Sequence, residues 1–317
     1  MNKNCPKASL CLFFYNQQDF VDDAIEGALS QTYDDLEIIL SDDHSTDDTF
    51  NRIKKKVSEY QGDKTIIVNE NQTNIGIVPH VNKIIYELSH GKYIFITGGD
   101  DVSLPNRVAD GVRYFEDNPN LSMVTFSYEF INEQSEVTGK IKLDEDILHY
   151  IDDYAFLASS GFMIGHLGQG FRRGILEEYG PMGDCQTEDS VLRFRSIMKG
   201  PVLSSSKIGL RYRKHSNNIS DPSRIYKFFQ TNKIATQYKI DLERNKNLLD
   251  SSLYRILEQK IDYYIRYRKI SEKLSDDSLC LFIEYFYRAV HLFQRKKYES
   301  IVFSHLKSNE CEIRHSV

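Results

Sequence analysis

The stretch that most constrains this chain is IILSDDHSTDDT, residues 38–49, where a short apolar run breaks abruptly into acids, hydroxyls and one histidine. Such a run reads as a buried strand. Ending in polar groups, it delivers them to the carboxyl edge of a sheet, where open α/β folds place their ligands. The chemistry is expected there.

The pattern around it predicts a strand near residues 9–14, a helix near 20–30, a strand at 37–40 and a helix near 46–60, with Ser45 or Thr46 as its cap. A strand at 65–68, a helix at 78–88 ended by Gly91, and a strand at 92–97 follow. Strand–helix alternation of this kind implies right-handed crossovers, and so an α/β fold with a doubly wound, mostly parallel sheet flanked by helices. The region from Leu104 to about Asp153 is less regular, apart from strand-like MVTFSYEFI at 123–131. SSGFMIGHLGQGFRRG, residues 159–174, carries glycines that suggest close backbone approach or a mobile loop rather than a helix. Beyond Ser220 the pattern turns helical, at 225–248, 253–274 and 277–295. Residues 1–220 are therefore read as the sheet domain and 221–317 as a helical C-terminal appendage.

At 317 residues the chain can bury a sizeable core without staples. Its five cysteines are odd in number, scattered and without a CxxC pair, which suggests neither a disulfide framework nor a structural zinc site and fits a reducing cytoplasm. MNKNCPKASLCLFFYN lacks the apolar core and cleavage site of a secretory signal, and no segment reaches the ~18 apolar residues of a membrane span. The net charge of −6 is uneven: the first 220 residues are strongly acidic and the remainder mildly basic. An acidic front argues against nucleic acid as a partner, while the basic tail can lie against anionic lipid or present a solvated helix surface.

Five clusters carry chemistry. FFYNQQ ends the first strand, where Tyr15 either stacks on a planar base or packs in the core. Asp42 and Asp43 either cap the next helix or meet the N–H donors of a base. In YIFITGGDDV, residues 93–102, the paired glycines admit a bulky anion and Asp100 offers hard oxygens suited to Mg²⁺ or Mn²⁺; a turn and helix cap is the simpler account. TEDSVLRFR, residues 187–195, is a solvated helix start or the seat of a general base, a choice the residues alone leave open. GLRYRKHSNNIS, residues 209–220, groups arginines, a lysine and His215, which suits phosphate charge and a divalent metal. Neither GxxxxGK[ST] nor a strand-linked GxGxxG is present.

In this order the clusters resemble the family 2 glycosyltransferases, inverting nucleotide-sugar enzymes with a GT-A fold. The resemblance runs over residues 8–220 through FFYNQQDF, QTYDDLEIILSDDHSTDDT, NIGI, GKYIFITGGDDVSLPNR, FRRGILEEYG, TEDSVLRFR and YRKHSNNIS. It implies that Tyr15, Asp43 and Asp100 contact the donor nucleotide, that Asp100 and His215 hold Mg²⁺ or Mn²⁺, and that Asp189 is the catalytic base. Glu188, Asp101 and Arg213 are candidates for acceptor-side or diphosphate contact. One departure stands out: Gly98 occupies the position where many relatives carry the first aspartate of the metal motif. The implied partners are a nucleoside-diphosphate sugar and a saccharide or lipid-linked saccharide acceptor in cell-surface polysaccharide synthesis, at a cytoplasmic site with peripheral membrane contact through the tail. The alternative reading, motivated by Gly98, is a non-catalytic nucleotide-sugar-binding protein.

Overall fold

The computed structural model describes residues 7–153, 156–157, 162, 165–218 and 232–271. Its centre is β1 (Ala8–Phe14), an apolar strand buried on both faces as expected of a strand inside a helix-covered sheet. Parallel to it run β2 (Leu36–Asp42) on one side and β4 (Tyr93–Gly98) on the other, with β3 (Thr65–Glu70) outside β2. Between these strands lie α1 (Val21–Leu29), α2 (Thr49–Glu59) and α3 (Ile77–Lys83), whose last turn widens to a π-turn over Ile84–Leu88. The sequence-based strands and these three helices are present within a few residues.

The second half is mixed. β5 (Val102–Ser103), α4 (Arg107–Asp117), β6 (Met123–Ile131), β7 (Val137–Ile141), β8 (Ile147–His149) and β9 (Leu167–Arg172) precede α5 (Arg173–Tyr179), α6 (Glu188–Ile197) and β10 (Val202–Arg213). The sheet order is β3-β2-β1-β4-β9-β6-β10-β5, with β7 beside β6 and β8 beside β10. β6 and β10 are parallel to each other, β9 is threaded antiparallel between β4 and β6, and the short β5, β7 and β8 also run antiparallel to the strands they pair with.

For the described part of 159–174, β9 bears out the close-approach alternative over a mobile loop, while α5 is a helix that was not expected there: a Cβ on Gly170 would lie 2.5 Å from the Phe95 ring, so only glycine lets β9 pass that close. The stretch 104–122 also holds a full helix where irregularity was expected. Gly91 is not the helix end, since the π-turn stops at Leu88; a Cβ there would strike the Ala8–Ser9 backbone at 2.5 Å. Ser45 and Thr46 do not cap α2, which starts at Thr49; Ser45 binds Asp42 instead, through N (2.8 Å) and Oγ (2.5 Å).

Helices cover both faces. Leu10, Leu12 and Phe14 pack with α1, α2 and α4, whereas Cys11, Ile94 and Ile96 pack with α3 and α6. α7 (Lys233–Arg244) and α8 (Ser251–Ser271) join that second layer through Tyr238, Leu242, Leu257 and Ile261, and the buried Arg195 Nε meets Asp241 Oδ2 at 2.8 Å. The boundary at 220 thus separates two kinds of secondary structure but not two cores among the described residues. The predicted helix at 277–295 lies outside them.

Candidate active site

β2, β1 and β4 are neighbours and parallel, so the residues just after them, Asp43, Tyr15 and Asp100, emerge on one carboxyl edge. Tyr15 is 45% exposed, which excludes the core-packing account. The loop beneath it is laced to the one after β2: Asn16 N donates to Ser45 Oγ (2.8 Å), Thr46 N to Asn16 Oδ1 (2.8 Å) and Gln17 N to Thr49 Oγ1 (2.8 Å). Asn16 and His44 both take positive φ, at 50° and 61°, to make these turns.

Asp43 is buried. Its Oδ1 accepts from Asn71 Nδ2 (2.8 Å) and Ile75 N (3.0 Å), and its Oδ2 accepts from Gly76 N (2.9 Å). The carboxylate therefore pins the 71–76 loop to the end of β2. Asp42 is buried as well, and desolvation raises its carboxyl above the usual range despite the two bonds from Ser45.

Asp100 Oδ2 lies 3.0 Å from His215 Nε2, and Asn218 Nδ2 approaches the same oxygen at 3.5 Å. The His215 ring is held from below by Phe20, at 4.6 Å between centroids, and Asn217 N donates to its Nδ1 at 3.2 Å. Gly98 has a local reason: a Cβ there would sit 2.7 Å from Asp100 Oδ1, so a larger residue would displace the carboxylate. Gly99 likewise leaves room for the Phe14 ring.

Asp101 and Arg213 do not face a ligand as free groups. Asp101 is buried and accepts Arg213 N at 3.0 Å; burial, then the adjacent Asp100, pushes its carboxyl far upward. The fully buried Arg213 guanidinium donates to Asp23 Oδ2 (2.9 Å), Asn132 O (2.9 Å) and Ser135 Oγ (2.9 Å), and its Nε reaches Asp100 O (2.9 Å). It clamps the end of β10 to the Asp100 loop rather than offering charge to a diphosphate.

Asp189 opens α6. That helix lies on the sheet through Val191 and Phe194, and its far end leads into β10, whose Val202 stands opposite Met123 at the start of β6. Ten residues span about 15 Å, so the Asp189 end is carried toward the carboxyl ends of β6 and β10, the edge that bears Asp100. Asp189 Oδ1 accepts Ser190 N (2.7 Å) and Ser190 Oγ (3.2 Å); Arg193 Nη2 stands 3.8 Å from Oδ2. Its side chain is 36% exposed. Glu188, expected as part of a solvated start, is buried instead, and burial followed by the Asp189 charge pushes it up to about 8.

The family description Glycosyl transferase family 2 matches residues 9–180, more than half of the chain. The chain belongs to this family. A family 2 relative from Escherichia coli, UDP-Glc:alpha-D-GlcNAc-diphosphoundecaprenol beta-1,3-glucosyltransferase WfaP, is 27% identical over 216 residues, covering 67% of this chain and 79% of that protein. Three further curated glycosyltransferases, at 32, 36 and 29% identity, are matched over 40, 42 and 51% of their own length, so the chain spans about half or less of each. Among solved structures, S. aureus TarS 1-349 in complex with UDP-GlcNAc superimposes with a TM-score of 0.63 at 14% identity, over 80% of this chain and 71% of that one. The mannosyltransferase PcManGT from Pyrobaculum calidifontis in complex with GDP-Man and Mn²⁺ gives 0.54 at 14% identity, over 99% and 89%. The GT-A fold of these structures is the fold of this family 2 transferase.

Whether this family 2 site suits a divalent ion is a question of donors. No group of three or more His, Cys, Asp or Glu side chains poised for a metal occurs among the described residues. Asp100 and His215 supply one hard carboxylate and one imidazole side by side, a partial set of the kind Mg²⁺ or Mn²⁺ takes when waters and substrate phosphates complete the shell. The donor set fits.

Sequence reasoning missed Asn71, Asn218 and Phe20. They hold Asp43, Asp100 and His215, yet none stands beside its client in the chain; the motifs NIGI, YRKHSNNIS and FFYNQQDF marked the neighbourhoods but not these contacts.

Proposed function

We propose that this chain transfers a glycosyl group from a nucleoside-diphosphate sugar to an acceptor hydroxyl by a single inverting displacement. The observation that carries this reading is the division of acids at one sheet edge: Asp100, held by His215 beside the Gly98–Gly99 opening, and Asp189, apart from them on α6. In this mechanism Asp189 accepts the proton of the acceptor hydroxyl while that oxygen bonds to the anomeric carbon; the bond from that carbon to the diphosphate oxygen breaks and its electron pair stays with the leaving group. Attack opposite the leaving group inverts the centre. Mg²⁺ or Mn²⁺ at Asp100 and His215 would offset the negative charge growing on the diphosphate. Phe20, Asn218 and Arg213 keep those two side chains in place, so alignment needs little reorganisation.

The acceptor we infer is a saccharide or lipid-linked saccharide of a cell-surface polysaccharide, a reading supported by the printed activity of WfaP toward a diphosphoundecaprenol-linked sugar. We place the enzyme in the cytoplasm with peripheral contact at the membrane. No helix among the described residues is long and apolar enough to cross one. The test is release of nucleoside diphosphate from nucleotide sugars presented with lipid-linked acceptors, compared between the wild type and Asp189→Asn. A wild type that binds a nucleotide sugar but transfers to no acceptor would leave the protein a binder.

A further inference from the structure

We propose that the tail helix α7 aims the base: Tyr238 is a positioning residue that acts on Asp189 through the hydroxyl of Ser190. The proposal rests on the reading of Asp189 as the base of a transferase and deepens it, by giving the helical tail a part in catalysis.

A general base works only when its lone pair lies on the line of the proton it takes, and a displacement of about 1 Å can cost ~10²-fold in rate. Among the described residues the direct partners of Asp189 all belong to α6. Contacts of that kind turn with the helix. They fix the carboxylate against α6 but leave α6 to be fixed by something else.

That second constraint comes from α7. Its residues Gln237 and Tyr238, with Asp241 three and four positions further on, are all buried on the face turned to α6 and the loop before it. Gln237 Oε1 accepts Gly183 N at 3.0 Å, in the loop ahead of α6. Asp241 holds Arg195 in the last turn of α6, Nε to Oδ2 at 2.8 Å and Nη2 to Oδ1 at 3.2 Å, and Arg195 Nη1 donates to Gly180 O at 2.7 Å. Tyr238 acts between these two grips. Its ring lies 4.7 Å from that of Phe194, and its phenol is hydrogen-bonded to Ser190, one turn nearer the start of the helix.

The direction of these bonds follows from the role of Asp189. A base must be ionised, and an ionised carboxylate only accepts, so the single proton of the Ser190 hydroxyl goes to Asp189 Oδ1 at 3.2 Å. The Ser190 oxygen is left to accept from Tyr238. Burial, then the Asp189 charge, pushes the Tyr238 phenol well above its usual range, so it keeps its proton and donates. Oδ1 thus takes both donors from Ser190, and Oδ2 is the oxygen left to take the acceptor's proton.

The test is a double-mutant cycle in the full chain, Tyr238→Phe, Ser190→Ala and the pair, assayed with UDP-Glc and α-D-GlcNAc-diphosphoundecaprenol, the substrates in the name of WfaP. Tyr238→Phe keeps the ring against Phe194 and Phe162 and removes only the hydroxyl. It should lower kcat roughly tenfold, with KM for UDP-Glc and the calorimetric affinity for UDP unchanged. In the Ser190→Ala background the same substitution should have no further effect. The ¹³C carboxyl signal of Asp189, identified by its loss in Asp189→Asn, should move in Tyr238→Phe, a readout that needs no turnover. Wild-type kcat in Tyr238→Phe, an equal loss in both backgrounds, or a parallel loss of UDP affinity would each overturn the proposal while leaving the transferase reading intact. So would an unmoved carboxyl signal. A wild type that forms no product, with the signal still moving in Tyr238→Phe, would overturn the reading of Asp189 as a base and this role with it.

Discussion

The two sides of the site are built differently. On the proposed donor side Asp43 is held by three donors from a loop about 30 residues away, and Asp100 by His215 and Asn218 at the end of β10. On the proposed acceptor side Asp189 is held, among the described residues, by Ser190 and Arg193 of its own helix and stays partly open to solvent. The proposed donor edge is braced by contacts from distant parts of the chain, whereas the proposed base is held by contacts within the helix that carries it. Binding and chemistry should consequently separate under mutation.

The largest expected effect tests that separation directly. Asp189→Asn should lower kcat by ~10²–10⁴ while the affinity for nucleoside diphosphate stays within about twofold, because no donor-side residue touches it. Comparable losses in both would break the distinction. Next, Asp241→Leu should cost about 3–5 kcal/mol of unfolding free energy, since it leaves the buried Arg195 cation without its counter-ion. Chemical denaturation would read this, and a change below 1 kcal/mol would mean that water reaches Arg195.

The third effect belongs to the donor side. His80 is held neutral, with its ring down at about 4 against 6.5 when unfolded, so its contribution is complete above pH 6.5 and is lost as pH falls from there through 4. The loss is on the order of 3 kcal/mol, and a His80→Gln variant should lack that part of the acid slope. The smallest is Gly98→Ala, which should weaken Mn²⁺-dependent nucleotide binding severalfold by pushing Asp100 off His215. Unaltered binding would show that Asp100 can shift without cost.

What the chain discloses before folding follows the same divide. β1, β2 and β4 are legible because strands buried on both faces read as apolar runs, and the acids after them stand out against those runs. α4 is not, since two of its core-facing positions are Arg107 and Gly111, which erase the apolar stripe. Arg107 belongs there because it donates to Ile96 O (2.7 Å) and Ser103 Oγ (2.7 Å) across the sheet, and Gly111 because a Cβ would strike Phe95. β9 is hidden for the same reason, Gly170 being a response to Phe95 and Gly168 to Leu210 rather than local signals. In the site, single acids at strand ends were visible. Asn71, Asn218 and the clamp made by Arg213 were not, because their meaning arises only from contacts made across the folded sheet.

The shared core of α6 with α7 and α8 bears on how such enzymes can exchange parts. The stretch that matches the family ends at residue 180, before Asp189 and before the α6, α7 and α8 residues that join the second layer. A graft limited to that stretch would have to meet a foreign α6 and foreign tail helices whose side chains were shaped against another partner. Swaps between relatives should be tolerated when α6, α7 and α8 travel together, and a new acceptor preference would then arrive with its own supporting helices.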